Sequence, residues 1–537
     1  MKIKYLYFLM SLSLVFTACE NDLDSLSDPY VPEVSGTIPT PTFTSGSADF
    51  SNYVAIGNSL TAGFSDGALF MEGQDKSFTN ILSQQFSLAG GGNFTIPMMN
   101  DNVGGLLFNG SPNPAFGPRL IFDPVGQMPV PVNGTPSTEV FDIQPGPYNN
   151  MGVPGVKVSH LLYDGLGNPA NLGVSANPYY VRMASSTSST ILGDALAMNP
   201  TFFTLWIGNN DVLGYAINGG DASLDQITPL TGGVGVGFTE TYNYVLGALA
   251  ASGAQGVVIN IPSVTDAPHF TTVPYAPLDP TNPDFGPQIP MLNMVFGALN
   301  PIFEAIDPNR AIVFSETAAS PVVIKDETLA DISAIIEAQL NASPTFPAFI
   351  GQFGLPPQAA PMVANLLGTL YGQTRQATAD DLLLLPSSSV IGQVNSDFSA
   401  YLQTQNLPVD LANQFSIQGV TYGLDDKYVL LPSEQMEIED ATTAFNQVIS
   451  DAAATYNMPM FDVNTFFNQV STSGYQAGSA YMTADFVTGG TFSLDGIHPS
   501  PRGNAVIVNQ LIGVINTSYN SNLPDVNPVD YTGVYLN

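Results

Sequence analysis

Short apolar runs set between longer periodic stretches give the chain its pattern. Residues 52–57 (Asn-Tyr-Val-Ala-Ile-Gly), 201–207 (Thr-Phe-Phe-Thr-Leu-Trp-Ile) and 255–261 (Gln-Gly-Val-Val-Ile-Asn-Ile, stopped by Pro262) read as strands, and 458–463 as a weaker fourth. Runs of this kind with helices between them predict a parallel sheet covered on both faces. The helices follow the other period. Residues 239–251 end at Gly253, a C-terminal cap signal. In 434–456, Ile438, Ala441, Phe445, Val448, Ile449 and Ala452 fall along one face. Ser500 followed by Pro501 predicts a capped helix start, and Ala505, Val508, Leu511, Ile512 and Ile515 give that helix its buried stripe. The fold class is α/β, doubly wound.

Two stretches exceed a minimal α/β unit. Residues 88–148 are rich in Gly, Pro and Asn. Residues 266–432 form a long insertion with Pro-rich loops and apolar helical segments at 329–340 and 360–370. The apolar positions Phe346, Phe349, Ile350, Phe353, Leu355, Leu366, Leu367 and Leu370 suit an acyl pocket or a lid; a cap over the site and an elaboration that only thickens the core are the two readings of this insertion. The α/β domain is placed at 51–517, with a tail at 518–537.

The first eighteen residues are not fold. Lys2 and Lys4 precede a short apolar stretch at 5–16, too short to span a bilayer comfortably. Phe16-Thr17-Ala18-Cys19 resembles a bacterial lipobox, with Phe where Leu is usual. The resemblance implies a signal peptide over 1–18 and a lipidated Cys19 as the mature N-terminus. Residues 19–50 then read as a flexible tether rich in Ser, Thr, Pro and acid. Glu20, Asp22 and Asp24 look like a surface-export signal. The expected location is the outer membrane of a Gram-negative-type bacterium, with the domain either displayed on the surface or facing the periplasm.

Charge narrows the partners. Asp and Glu total 45 against 11 Lys and Arg, a formal net charge of −34. Phosphate backbones are bound by clustered Lys and Arg, so nucleic acid is excluded as the expected partner. Cys19 is the single cysteine, which rules out an intramolecular disulfide and cysteine-based zinc sites. The acidic loop at 279–284 lacks EF-hand spacing, so no metal and no cofactor are called for. The pairs Asp380-Asp381 and Asp425-Asp426 read as solvated.

Three histidines, His160, His269 and His498, bound any imidazole chemistry. Of these, His498 stands in Asp495-Gly496-Ile497-His498-Pro499, where an Asp three positions earlier can fix its tautomer. His160 and His269 read as structural or surface residues. Gly57-Asn58-Ser59-Leu60 follows the first strand, where a serine hydroxyl is exposed at the carboxyl edge of the sheet. Asn150-Met151-Gly152-Val153-Pro154-Gly155 reads as a turn whose Gly155 can bring a backbone N–H to a substrate oxygen. Gly208-Asn209-Asn210-Asp211 ends the 201–207 strand and can aim an amide N–H at an oxyanion.

In this order the four motifs resemble the SGNH (GDSL-type) hydrolase family. The resemblance covers the α/β core in pieces and neither insertion. It implies a flavodoxin-like three-layer α/β/α sandwich. It also implies a Ser59–His498–Asp495 triad and an oxyanion hole formed by the N–H groups of Ser59 and Gly155 with the Asn210 side chain. One position departs from the family: Asn58 stands where Asp usually precedes the nucleophile. The expected function is an esterase or lipase acting on an acyl ester, lipid or acylated glycan. A carbohydrate deacetylase and a catalytically retired surface-binding lipoprotein are the alternatives.

Overall fold

Five strands converge on one parallel sheet. They are β1 (Tyr53–Gly57), β2 (Asn150–Gly152), β3 (Phe202–Trp206), β4 (Gln255–Ile259) and β5 (Met460–Phe461). Their order across the sheet is β2-β1-β3-β4-β5, and every neighbouring pair is parallel. The computed structural model from which this is read describes residues 42–537. The expected signal peptide, Cys19 and the expected tether through residue 41 lie outside the described residues. Among the described residues, no helix is long and apolar enough to cross a membrane.

The strands are apolar on both sides because both sides are covered. Along β1, Tyr53 and Ala55 join one core while Val54 and Ile56 join the other. The same division separates Phe202 and Trp206 from Phe203 and Leu205 in β3. With a side-chain period of two, each face then receives its own layer of helices. On the Tyr53 side lie Phe78–Ser87 and Pro501–Tyr519, and on the Val54 side lie Phe238–Ala251 and Pro432–Thr455. Ser500 caps its helix as expected, its Oγ accepting from Gly503 N–H at 3.0 Å. Glu434 reaches back to accept from Leu431 N–H at 2.7 Å, closing the start of Pro432–Thr455.

The domain begins before residue 51. Phe50, expected in the tether, is 2% exposed and stacks on Phe86 at 4.0 Å. The tail also packs back. Tyr535 and Phe70 flank the Arg119 guanidinium, each ring centre 4.6 Å from it.

The 266–432 insertion has a core of its own. Phe346, Ile350, Leu355, Leu367 and Leu370 are buried in it, with Phe349, Phe353 and Leu366 packed alongside. The residues expected to suit an acyl pocket are therefore used inside the insertion. Asp381, expected to be solvated, is buried and takes a two-pronged bond from Arg375, at 2.7 and 2.8 Å. An acid so placed needs a cation, because an unpaired buried carboxylate is costly. Asp425 is likewise paired, with Lys325.

Candidate active site

The order β2-β1-β3 makes β1 the strand from which the chain first runs one way across the sheet and then the other. Open parallel sheets have their crevice at the carboxyl ends of the strands around such a reversal. Ser59 follows β1 there, and Asn209 and Asn210 follow β3. Two glycines let the Ser59 turn fit between neighbouring strands. A Cβ on Gly57 would come within 2.3 Å of the Trp206 carbonyl oxygen, and one on Gly152 within 2.3 Å of Ala62 N. Ser59 opens a single helical turn, Ser59–Ala62, so its backbone N–H has no acceptor within that helix.

The Ser59 hydroxyl oxygen lies 2.8 Å from His498 Nε2, across 439 positions of sequence. His498 Nδ1 lies 2.9 Å from Asp495 Oδ2. Asp495 Oδ1 also accepts from the N–H groups of Ile497 and His498, at 2.9 and 2.8 Å. Burial works against the Asp495 charge, but the His498 side chain and these N–H groups outweigh it and hold the carboxyl well below the usual range. An ionised Asp495 can only accept. His498 therefore carries its proton on Nδ1, and Nε2 is free to accept from Ser59.

A hydrogen bond ties Asn210 to the residue after Gly155. Asn210 Nδ2 donates to the carbonyl of Val156, the residue after Gly155, at 2.9 Å. Asp211 seats the same turn. It is fully buried, and its Oδ2 accepts from Val158 N–H at 3.0 Å. Burial pushes its carboxyl up to about 6. Gly155 itself is exposed, with φ +81°. It faces an open cleft of about 660 Å³ that also carries His160, Tyr163, Asn177 and Tyr179. Ser59, His498, Asn209 and Asn210 share a different, apolar cavity of about 50 Å³.

The sequence marks Asn58 as unusual but not its partner, and it gives no sign of Phe64, Asp66 or Gly67. Asn58 Nδ2 donates to Asn209 Oδ1 at 3.1 Å, while Asn58 Oδ1 accepts from Leu60 N–H at 3.0 Å. A carboxylate at 58 would face the Asn209 carbonyl oxygen unless that amide turned over. Asn58 and Asn209 are thus a matched pair, which gives the departure at 58 a local reason. Behind the histidine, Phe64 packs on the His498 ring at 4.8 Å. The turn at Asp66-Gly67 holds the loop that carries Asp495 and His498: Gly67 N–H donates to Asp495 Oδ2 at 2.9 Å, and Asp66 Oδ1 accepts from Leu494 N–H at 2.9 Å. Asp66 is 1% exposed, and burial pushes its carboxyl up to about 7.

The other two histidines stand apart from the Ser59–His498–Asp495 hydrogen-bond chain. His160 Nδ1 accepts from Lys157 N–H at 3.1 Å, and His269 is buried behind the His498 loop, its backbone N–H donating to Gly496 O at 2.9 Å. Among the described residues, one group could hold a metal ion: Glu327, Asp426 and Glu434, whose oxygens lie within 4.8 Å of one another. Its most buried member, Glu434, already caps a helix. No family model matches the chain, and neither a curated protein nor a solved structure matches it.

Proposed function

We propose that the chain is a serine esterase of the SGNH (GDSL-type) kind, built on a flavodoxin-like sandwich and held at the outer membrane through a lipidated Cys19. The observation that carries this reading is the continuous Ser59–His498–Asp495 hydrogen-bond chain at the carboxyl edge of the sheet. The strand order β2-β1-β3-β4-β5 supports the flavodoxin-like assignment.

The chemistry runs through this chain's own groups. Ser59 Oγ attacks the ester carbonyl carbon as its proton passes to His498 Nε2, and Asp495 stabilises the imidazolium. The carbonyl oxygen becomes an anion, bound by the N–H groups of Ser59 and Gly155 and by the Asn210 amide. Collapse of this intermediate breaks the bond to the alcohol, which leaves with the proton from His498. Water, deprotonated by the same nitrogen, attacks the acyl-enzyme and releases the acid and free Ser59.

Deacylation of a glycan is the second reading. The open cleft beside Gly155, with Tyr163, Tyr179 and Asn177, favours it, since aromatic and amide groups suit a sugar. Hydrolysis of p-nitrophenyl acetate by wild type and Ser59→Ala tests the esterase reading. Turnover that survives in the variant contradicts it.

A further inference from the structure

The cavity at Ser59 has a size that bears on the acyl group. We propose that the enzyme selects short acyl groups, acetyl to butyryl, and that its substrate's bulk lies on the alcohol side. This rests on the esterase reading above. The cavity measures about 50 Å³ and opens at Ser59, His498 and Asn210. A buried apolar cavity of about 150 Å³ accepts benzene, with its six carbons. One third of that room takes two or three carbon-sized atoms beyond the carbonyl.

The walls are set to stay where they are. Trp206 is fully buried, and its indole N–H donates to Asn260 O at 3.1 Å, so the ring cannot swing aside without losing a buried bond. The Phe467 and Phe492 rings lie 5.4 Å apart and support one another. Leu213 stands one turn after Asn210 on the helix Asn210–Ile217, which brings it to the same face. Asp266 also borders the cavity, with its Oδ2 buried there.

The insertion does not enlarge the room. Among the described residues, its apolar side chains at 346–370 sit in a separate core and none lines this cavity. A lipase would need a longer apolar track from Ser59 than this cavity supplies. The open cleft beside Gly155 has the greater room, about 660 Å³, and can receive a large alcohol such as an acylated sugar.

The test is kcat/KM of the full-length protein on p-nitrophenyl acetate, butyrate and octanoate, with Leu213→Ala and Phe492→Ala alongside. Acetate and butyrate should exceed octanoate at least tenfold in wild type. Each variant that folds should narrow the acetate-to-octanoate ratio at least fivefold by lengthening the cavity. Octanoate turned over as well as acetate by wild type overturns the inference while leaving the esterase reading intact. A ratio unmoved in both folded variants overturns the assignment of this cavity to the acyl group. No turnover of any ester, with no labelling of Ser59 by a fluorophosphonate, overturns the esterase reading and the inference with it.

Discussion

The sheet region and the 266–432 insertion solve stability in different ways. Around the sheet, two apolar layers sandwich strands that are themselves apolar on both sides, and polar groups gather at the carboxyl edge. The insertion instead wraps helices around a third core and ties its segments with two arginines. Arg375 bridges Asp326 and Asp381, and Arg310 donates to the carbonyls of Ala330, Tyr371 and Gly372. In a chain with 11 Lys and Arg in all, these placements use scarce cations as internal ties. The two regions meet behind the His498 loop, where His269 N–H reaches Gly496 O and Leu385 lies beside Gly496. Ser59, His498 and Asp495 all come from the sheet region, while the insertion packs against their loop and lends Asp266 and Ala267 to the cavity wall.

The largest expected effect is on the sheet side. Ser59→Ala should lower kcat by about 10⁶, because the covalent route is removed, with the far-UV circular dichroism unchanged. On the insertion side, Arg375→Ala leaves Asp326 and Asp381 buried without their cation and should lower unfolding free energy by ~3–5 kcal/mol in denaturant titration. If the two regions are separable, kcat of the folded variant stays within a few-fold of wild type. A kcat loss matching that of a triad variant would merge the regions.

Asn210→Ala sharpens the sheet side. A donor aimed at the oxyanion stabilises the intermediate more than the neutral ester, so kcat should fall by roughly 10²–10³ with KM little changed. A pure KM effect would move Asn210 from the oxyanion to substrate binding.

The smallest effect is on pH dependence. The folded-state value of the Asp66 carboxyl, about 7, lies above its unfolded value, so the native state holds an extra proton between the two. Its contribution to stability is fully present below the unfolded value and is lost as pH rises toward 7. Asp66→Asn keeps a carbonyl to accept from Leu494 and removes the titration. Its melting temperature should therefore fall less than that of wild type between pH 4 and 7, after subtraction of the common background. Identical slopes would show that Asp66 does not titrate in this window.

What could be read in advance follows the same division. The strands at β1, β3 and β4 were legible because burial on both faces demands continuous apolar runs. The helix at 501–519 was legible because Ser500-Pro501 announces its start. β2 was read as a turn, since three residues carry no period and pair only because Ala55–Gly57 lies beside them. The meeting of Ser59, His498 and Asp495 was expected from the four motifs in order and from Asp495 lying three residues before His498. The roles of Asp66, Gly67 and Asp211 were not, because each acts through a backbone contact with a segment distant in sequence. Asn209 was unremarkable until its amide was found against that of Asn58. The insertion's apolar residues looked available for substrate because a sequence does not say which of two neighbouring cores will claim a phenylalanine.

If Ser59 is a nucleophile activated by His498, exposing the folded protein to a fluorophosphonate and locating the adduct by peptide mass spectrometry will find one adduct, on Ser59. That adduct should be absent in Ser59→Ala and form at least a hundredfold more slowly in His498→Ala. An unmodified Ser59 in folded wild-type protein, or a labelling rate indifferent to His498, would contradict that role for Ser59.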